Sequence, residues 1–207
     1  MTRHILHVLC FVSCCVTTLH AADPPVPRQK EWQRVTKAID ERKPKTGRDV
    51  LRGIEQAAIT ERVWDEVARA IATRVLLENT DRPADDPQRL IDLDAATETA
   101  PVQTRGALQA IQANWTWNFF QMNRWRFAQR TTQAQSDTNR DLSEINSWDL
   151  RRIVLEIRDQ FEMALSDDGG LKGLPVEDWA MLVEAGSMGD AYRPTLWDVV
   201  VRDAIAF

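Results

Sequence analysis

The side chains best suited to chemistry are gathered at one end of the sequence. All three cysteines (Cys10, Cys14, Cys15) and all three histidines (His4, His7, His20) lie within the first 20 of 207 residues. If that stretch is removed, the working chain has neither thiol nor imidazole. Ser-His-Asp and Cys-His catalysis, thiolate or imidazole zinc sites and disulfides are then excluded. Chemistry built on carboxylates, hydroxyls, Lys and Arg remains. Glu156 and Asp159 form an acid pair, but their spacing places both on the polar side of a helix. General acid–base work needs such a carboxyl desolvated in a cleft. Glycan hydrolysis needs two acids facing each other across a pocket, and the sequence offers no specific pair.

Asp137, Asn139 and Asp141 have the alternate spacing of the first three ligands of a calcium loop. The sixth position of such a loop is Leu142, where Gly is needed. The twelfth is Trp148, where a bidentate Glu is needed, so a solvated polar loop is the better reading. Asp167-Asp168-Gly169-Gly170 reads as a helix C-terminus with turn glycines. Gly186-Ser187-Met188-Gly189 lacks the spacing of a nucleophile elbow and has no His to activate the serine. Asn114-Trp115-Thr116 matches a glycosylation sequon but sits inside an aromatic helix. The residues therefore point to no catalytic, cofactor-binding or metal site, and to a protein that is not an enzyme.

The elements behind these residues read as helices almost throughout. Trp32, Val35 and Ile39 repeat at helical spacing up to Pro44, which is expected to stop the helix. Val50, Leu51, Ile54 and Ala58 suggest a second helix. A third, capped by Thr60, carries Val63, Val67, Ile71 and Val75. Asp86-Pro87 opens a helix with Leu90, Ile91 and Ala95. Pro101 opens another through Leu108, Ile111, Trp115, Phe119 and Met122. Thr131–Arg140 reads as a loop. Ser147 or Asp149 starts a long helix with Ile153, Ile157 and Phe161 on one side. Short helices follow at about 176–185 and 194–207. The expected class is all-α, a bundle of roughly seven helices. Trp115, Trp117, Phe119, Phe120, Trp125 and Phe127 fall within 13 residues. At about 100° per residue they point nearly all round their helix, as expected for a helix central to a bundle. A glycan or partner surface is the alternative.

Arg3, the apolar run Ile5–Leu19 and the small residues Ala21 and Ala22 read as a secretory signal peptide over 1–21. Residues 22–29 form an extended leader. The helical domain spans 30–207, and it can be divided at Pro83–Pro87 into 30–80 and 84–207. A second reading takes Phe11-Val12-Ser13-Cys14 as a lipobox with Cys14 acylated. The expected location is periplasmic or extracellular, and no later segment is apolar and long enough to cross a membrane. Removing the signal takes away one Arg of 26 basic side chains and none of 31 acids, so the net charge moves from −5 to −6. That balance argues against nucleic acid as a partner. The last helix stops at Phe207 without a terminator, so a continuation is expected.

Three segments carry a resemblance. The first is Trp117-Asn118-Phe119-Phe120-Gln121-Met122-Asn123-Arg124-Trp125-Arg126-Phe127, with Gln129-Arg130-Thr131. The second is Ser147-Trp148-Asp149-Leu150-Arg151-Arg152-Ile153. The third is Tyr192-Arg193-Pro194-Thr195-Leu196-Trp197-Asp198, with Ala204–Phe207. In order and spacing they resemble the N-terminal helical region of large bacterial alpha-2-macroglobulin-like proteins. Trp197 stands where Tyr is usual there. The resemblance covers residues 100–207 well and the earlier helices loosely. It implies an exported, non-catalytic scaffold ahead of macroglobulin-type domains, with proteases as indirect targets and no cofactor. It also implies fold-defining roles for Asp149 and Asp198 in first helical turns, Pro194 at a first helical position, and Tyr192 and Trp197 packed beside it. Neither a bait segment nor a thioester cysteine is visible. The alternative is a free-standing secreted helical module that binds a protein partner.

Overall fold

A computed structural model describes residues 28–83, 85–130, 140–166, 168–183 and 192–207. Residues 1–21, where a signal peptide is expected, Cys14 among them, and most of the expected leader lie outside them. Among the described residues the order is α1 (Gln29–Asp40), α2 (Pro44–Glu61), α3 (Trp64–Glu78), α4 (Gln88–Thr99), α5 (Arg105–Ala128), α6 (Leu150–Ser166), α7 (Asp168–Leu171), α8 (Val176–Trp179) and α9 (Leu196–Ala206). Two 3-10 segments, Val102–Thr104 and Leu142–Ser147, precede α5 and α6. No strand occurs among these residues, only a single antiparallel bridge between Pro175 and Thr195. The fold is all-α, and no helix among them is long and apolar enough to cross a membrane.

Several helix ends differ from the sequence expectation. Pro44 does not stop a helix; it opens α2 at the first helical position, where its missing N–H is no loss. The turn falls instead at Arg42, with φ 54°. There the Arg42 N–H bonds Ile39 O at 2.9 Å and the Lys43 N–H bonds Ala38 O at 2.8 Å. This pair of hydrogen bonds closes α1, with Arg42 in the left-handed conformation usually given to glycine. Arg62, with φ 61°, closes α2 the same way through Val63 N–H to Ala58 O at 2.9 Å. Thr60 is therefore no cap of α3: it lies inside α2, its hydroxyl donating to Gln56 O at 2.9 Å.

Gly47 sits where α2 crosses α1 and α3. A Cβ there would lie 2.7 Å from Leu77 Cδ1 and 3.7 Å from Ala38 Cβ. Alanine improves helix propensity by about 0.5–1 kcal/mol, while overpacking costs about 1–3 kcal/mol. Gly47→Ala is expected to lower stability by about 1 kcal/mol, read as a lower thermal midpoint. A raised midpoint would show that the Leu77 methyl swings aside freely.

Two apolar clusters hold the helices. The smaller joins Val35 of α1, Leu51 and Ile54 of α2, and Ala70 and Leu77 of α3. The larger runs from Val67, Ile71 and Val75 of α3 through α4, α5 and α6 to Val199 and Val200 of α9. Helix α3 presents one side to each, so the two groups share a wall. Helix α5 is the axle of the larger cluster, packing on α3, α4, α6 and α9. From Ala110 to Trp117 every one of its residues is buried.

Local chemistry starts the later helices. Asp149 Oδ1 accepts the Arg152 N–H at 2.8 Å at the start of α6. At α9, Thr195 Oγ1 accepts from Asp198 N at 3.3 Å while Asp198 Oδ2 accepts from Thr195 N at 3.0 Å. This is a capping box. Pro194, expected at the first helical position, stands just outside it, and Tyr192 is exposed rather than packed.

Candidate functional site

Five of the six clustered aromatics are buried, but Trp125 is not: it is 63% exposed. The expectation of a helix buried all round holds for the stretch from Ala110 to Trp117. Beyond Phe120, the residues Met122 and Trp125 face outward, while Asn123 and Phe127 stay inside. Trp115 is the best anchored. Its indole N–H donates to Leu182 O at 2.7 Å, and the Arg89 guanidinium lies 4.6 Å from its ring centroid. Asn114 is buried and donates to Asp203 Oδ2 at 2.7 Å, so the sequon amide is engaged inside the fold.

Glu156 also departs from the sequence expectation. It does not sit on a solvated face; its side chain is 2% exposed. Arg140 Nε donates to Glu156 Oε1 at 2.8 Å, and Gln160 Nε2 donates to the same oxygen at 2.7 Å. Arg140 Nη2 also reaches Asp94 Oδ1 at 2.8 Å. Burial draws the Arg140 pKa down, but Glu156 and Asp94 outweigh it and hold it above its usual value. Asp159 stays outside, paired with Arg158 at 2.7 Å. The acid pair is therefore divided between core and surface. Beside Arg140 lies a polar cleft of about 150 Å³, with Asp94, Glu98, Arg105, Gln112 and Gln160 in its walls. The side-chain oxygens of both glutamines are buried without a protein donor.

Glu66 makes a second buried carboxylate site, between α1 and α3. Trp32 Nε1 donates to Oε1 at 2.9 Å and Arg28 Nη1 to Oε2 at 2.5 Å. Arg69 stacks on the Trp32 ring at 3.7 Å and pairs with Asp178 at 3.0 Å. Burial pushes the Glu66 carboxyl above the usual range, opposed by Trp32 and Arg28. A carboxyl raised in this way stabilises the fold fully only below its unfolded pKa. That contribution is lost as pH rises through the raised folded value. Glu66→Gln should therefore gain thermal midpoint relative to the parent as pH goes from about 4 to about 7. A difference that stays constant over that range would show that Arg28 and Trp32 fully offset the burial.

No group of three or more His, Cys, Asp or Glu that could hold a metal occurs among the described residues. Asp137, Asn139, Asp167 and Gly186–Gly189 lie outside them. Asp141 accepts from Ser143 N at 2.9 Å, and this bonding to Ser143 lowers its pKa. It caps the 3-10 segment. Leu142 and Trp148, at the two failing calcium positions, are buried.

A groove that the sequence reading missed opens between the α1–α2 turn, the end of α3, the start of α4 and the middle of α5. Its volume is about 500 Å³, within the range of small-molecule sites. Leu76, Leu77, Leu90, Phe119 and Met122 supply apolar walls. Arg42, Lys43, Arg82 and Arg89 stand with them, against one acid, Asp86. Arg82 pairs with Asp86 at 3.0 Å and Lys43 with Glu41 at 2.7 Å. The Gln88 backbone N–H, then Arg82, hold Asp86 below the usual carboxylate range. Helix α2 begins at this groove with no side-chain cap and no acid in its first turn. Arg42, Lys43 and Lys45 crowd its positive end, against the preference of the helix dipole. That misplaced charge was the one local signal in the sequence.

These sites bring together apolar surface, buried ion pairs and a basic groove, and none combines a nucleophile with a base. Comparison with family models, with curated proteins and with solved structures gives no match.

Proposed function

We propose that this chain is an exported, non-catalytic helical scaffold, the N-terminal region of an alpha-2-macroglobulin-like endopeptidase inhibitor. On this reading macroglobulin-type domains are its covalent neighbours, and proteases are targets only indirectly. The observation that supports it is the meeting of the three resemblance segments in one unit of α5, α6 and α9. Arg130 Nη1 donates to Trp148 O at 2.8 Å, linking the first segment to the second. Phe207 packs edge-on against Trp117 at 5.5 Å and against Phe161 at 6.0 Å, linking the third segment to α5 and α6. Asp149, Thr195 and Asp198 cap helices. Side chains with these roles position neighbours and carry no reaction.

A free-standing partner-binding module is the second reading, favoured by the outward Met122 and Trp125 on one face of α5. The native size separates the two. An immunoblot of periplasmic and secreted fractions, raised against residues 100–207, should show a polypeptide far heavier than 207 residues allow. A band at the size of this chain alone would replace the scaffold by the free-standing module.

A further inference from the structure

We infer that the groove between α1–α2, α3, α4 and α5 binds a single-chain anionic amphiphile, an apolar tail ending in a carboxylate. The tail side rests on Leu76, Leu90, Phe119 and Met122, an apolar wall drawn from three helices. The head-group side rests on charge. Arg42, Lys43, Arg82 and Arg89 line this groove with one acid, Asp86, in a chain whose net charge is −5; Asp86 pairs with Arg82, and Glu41, outside the lining, pairs with Lys43. Cations still outnumber acids around the lining, so an anion is the complementary ligand.

Two features at the groove mouth run against the stability of the fold. Arg42 holds a left-handed backbone, φ 54°, where glycine is the cheaper residue. Arg42, Lys43 and Lys45 also crowd the uncapped positive end of the 18-residue α2. A bound carboxylate would relieve both the repulsion and the unmet N–H groups of that end. The occupant is small by the same geometry. A helical partner needs anchors over several turns of a trough, whereas α5 offers Phe119 and Met122 alone, one turn apart. The inference stands whether the chain is a scaffold within a larger protein or a free module.

The test is calorimetric titration of the 207-residue chain with dodecanoate, kept below its micelle concentration. Dodecyltrimethylammonium serves as the same tail with the opposite charge, and acetate as the head without the tail. Dodecanoate should bind saturably at one per chain, with both comparators at least about 10-fold weaker. Arg42→Gly removes one cation and relaxes the left-handed backbone. It should weaken dodecanoate about 5-fold while the thermal midpoint holds or rises. Loss of binding in that variant therefore cannot come from loss of fold. Leu76→Trp, which narrows the groove, should weaken dodecanoate further. Equal binding of the two charged amphiphiles would overturn the inference, as would an Arg42→Gly variant that binds like the parent. Saturable binding of an acidic amphipathic peptide without binding of dodecanoate would overturn it in favour of a protein partner.

Discussion

Trp115→Ala is expected to lower the unfolding free energy by about 3–5 kcal/mol. The side chain is 2% exposed at the centre of α5. Its removal opens a cavity among helices that cannot close on it. It also strips the donor from Leu182 O and the platform under Arg89. A domain of this kind has about 5–15 kcal/mol in total, so the variant should melt far below the parent or fail to accumulate. Trp125→Ala is the matched control. It is the same substitution ten residues along the same helix, on a side chain 63% exposed. The expected change is within about 0.5 kcal/mol. Urea unfolding followed by far-ultraviolet circular dichroism measures both. Similar losses at the two positions would undo the placement of the α5 faces.

Arg140→Met is the second large effect. It leaves the Glu156 carboxylate in the core with Gln160 as its remaining donor. Breaking a fully buried pair costs about 3–5 kcal/mol. Arg140 is itself 39% exposed, so solvent screens part of the loss, and about 2–3 kcal/mol is expected. The double variant Arg140→Met/Glu156→Met should recover most of that stability, because two apolar side chains leave no charge unpaired. The denaturant midpoints of the two single variants and the double variant form a cycle. A double variant as weak as Arg140→Met would show that the pair holds α6 to α4 by more than charge balance.

Trp115 is buried where sequence periodicity places it, but Trp125 and Glu156 depart from the environments that periodicity assigns them. Glu156 has Arg152, Ile153, Asp159 and Gln160 as its neighbours three and four residues away, a mostly polar set that reads as a solvated face. What buries it is Arg140, which arrives with Asp94 from α4. Trp125 continues the aromatic run, but it lies on a face of α5 that no other helix among the described residues covers, while Asn123 and Phe127 beside it stay inside. Helix ends depart from the sequence expectation for a related reason. Pro44 and Thr60 carry strong local preferences, yet Arg42 and Arg62 take the left-handed turns. An arginine gives no advance sign of that conformation.

The sequence by itself determined the all-α class, most of the helices and the central place of α5. Apolar spacing near 3.6 and the caps at Asp149 and Asp198 are local properties, legible without knowing what lies opposite. Only the tertiary structure decided which polar groups are buried and which aromatics are exposed. It alone formed the basic groove, whose walls come from the α1–α2 turn, α3, α4 and α5. Burial and cavity shape are set by partners distant along the chain. A helix carries the period of its own buried face, but not the identity or length of the helix that covers it.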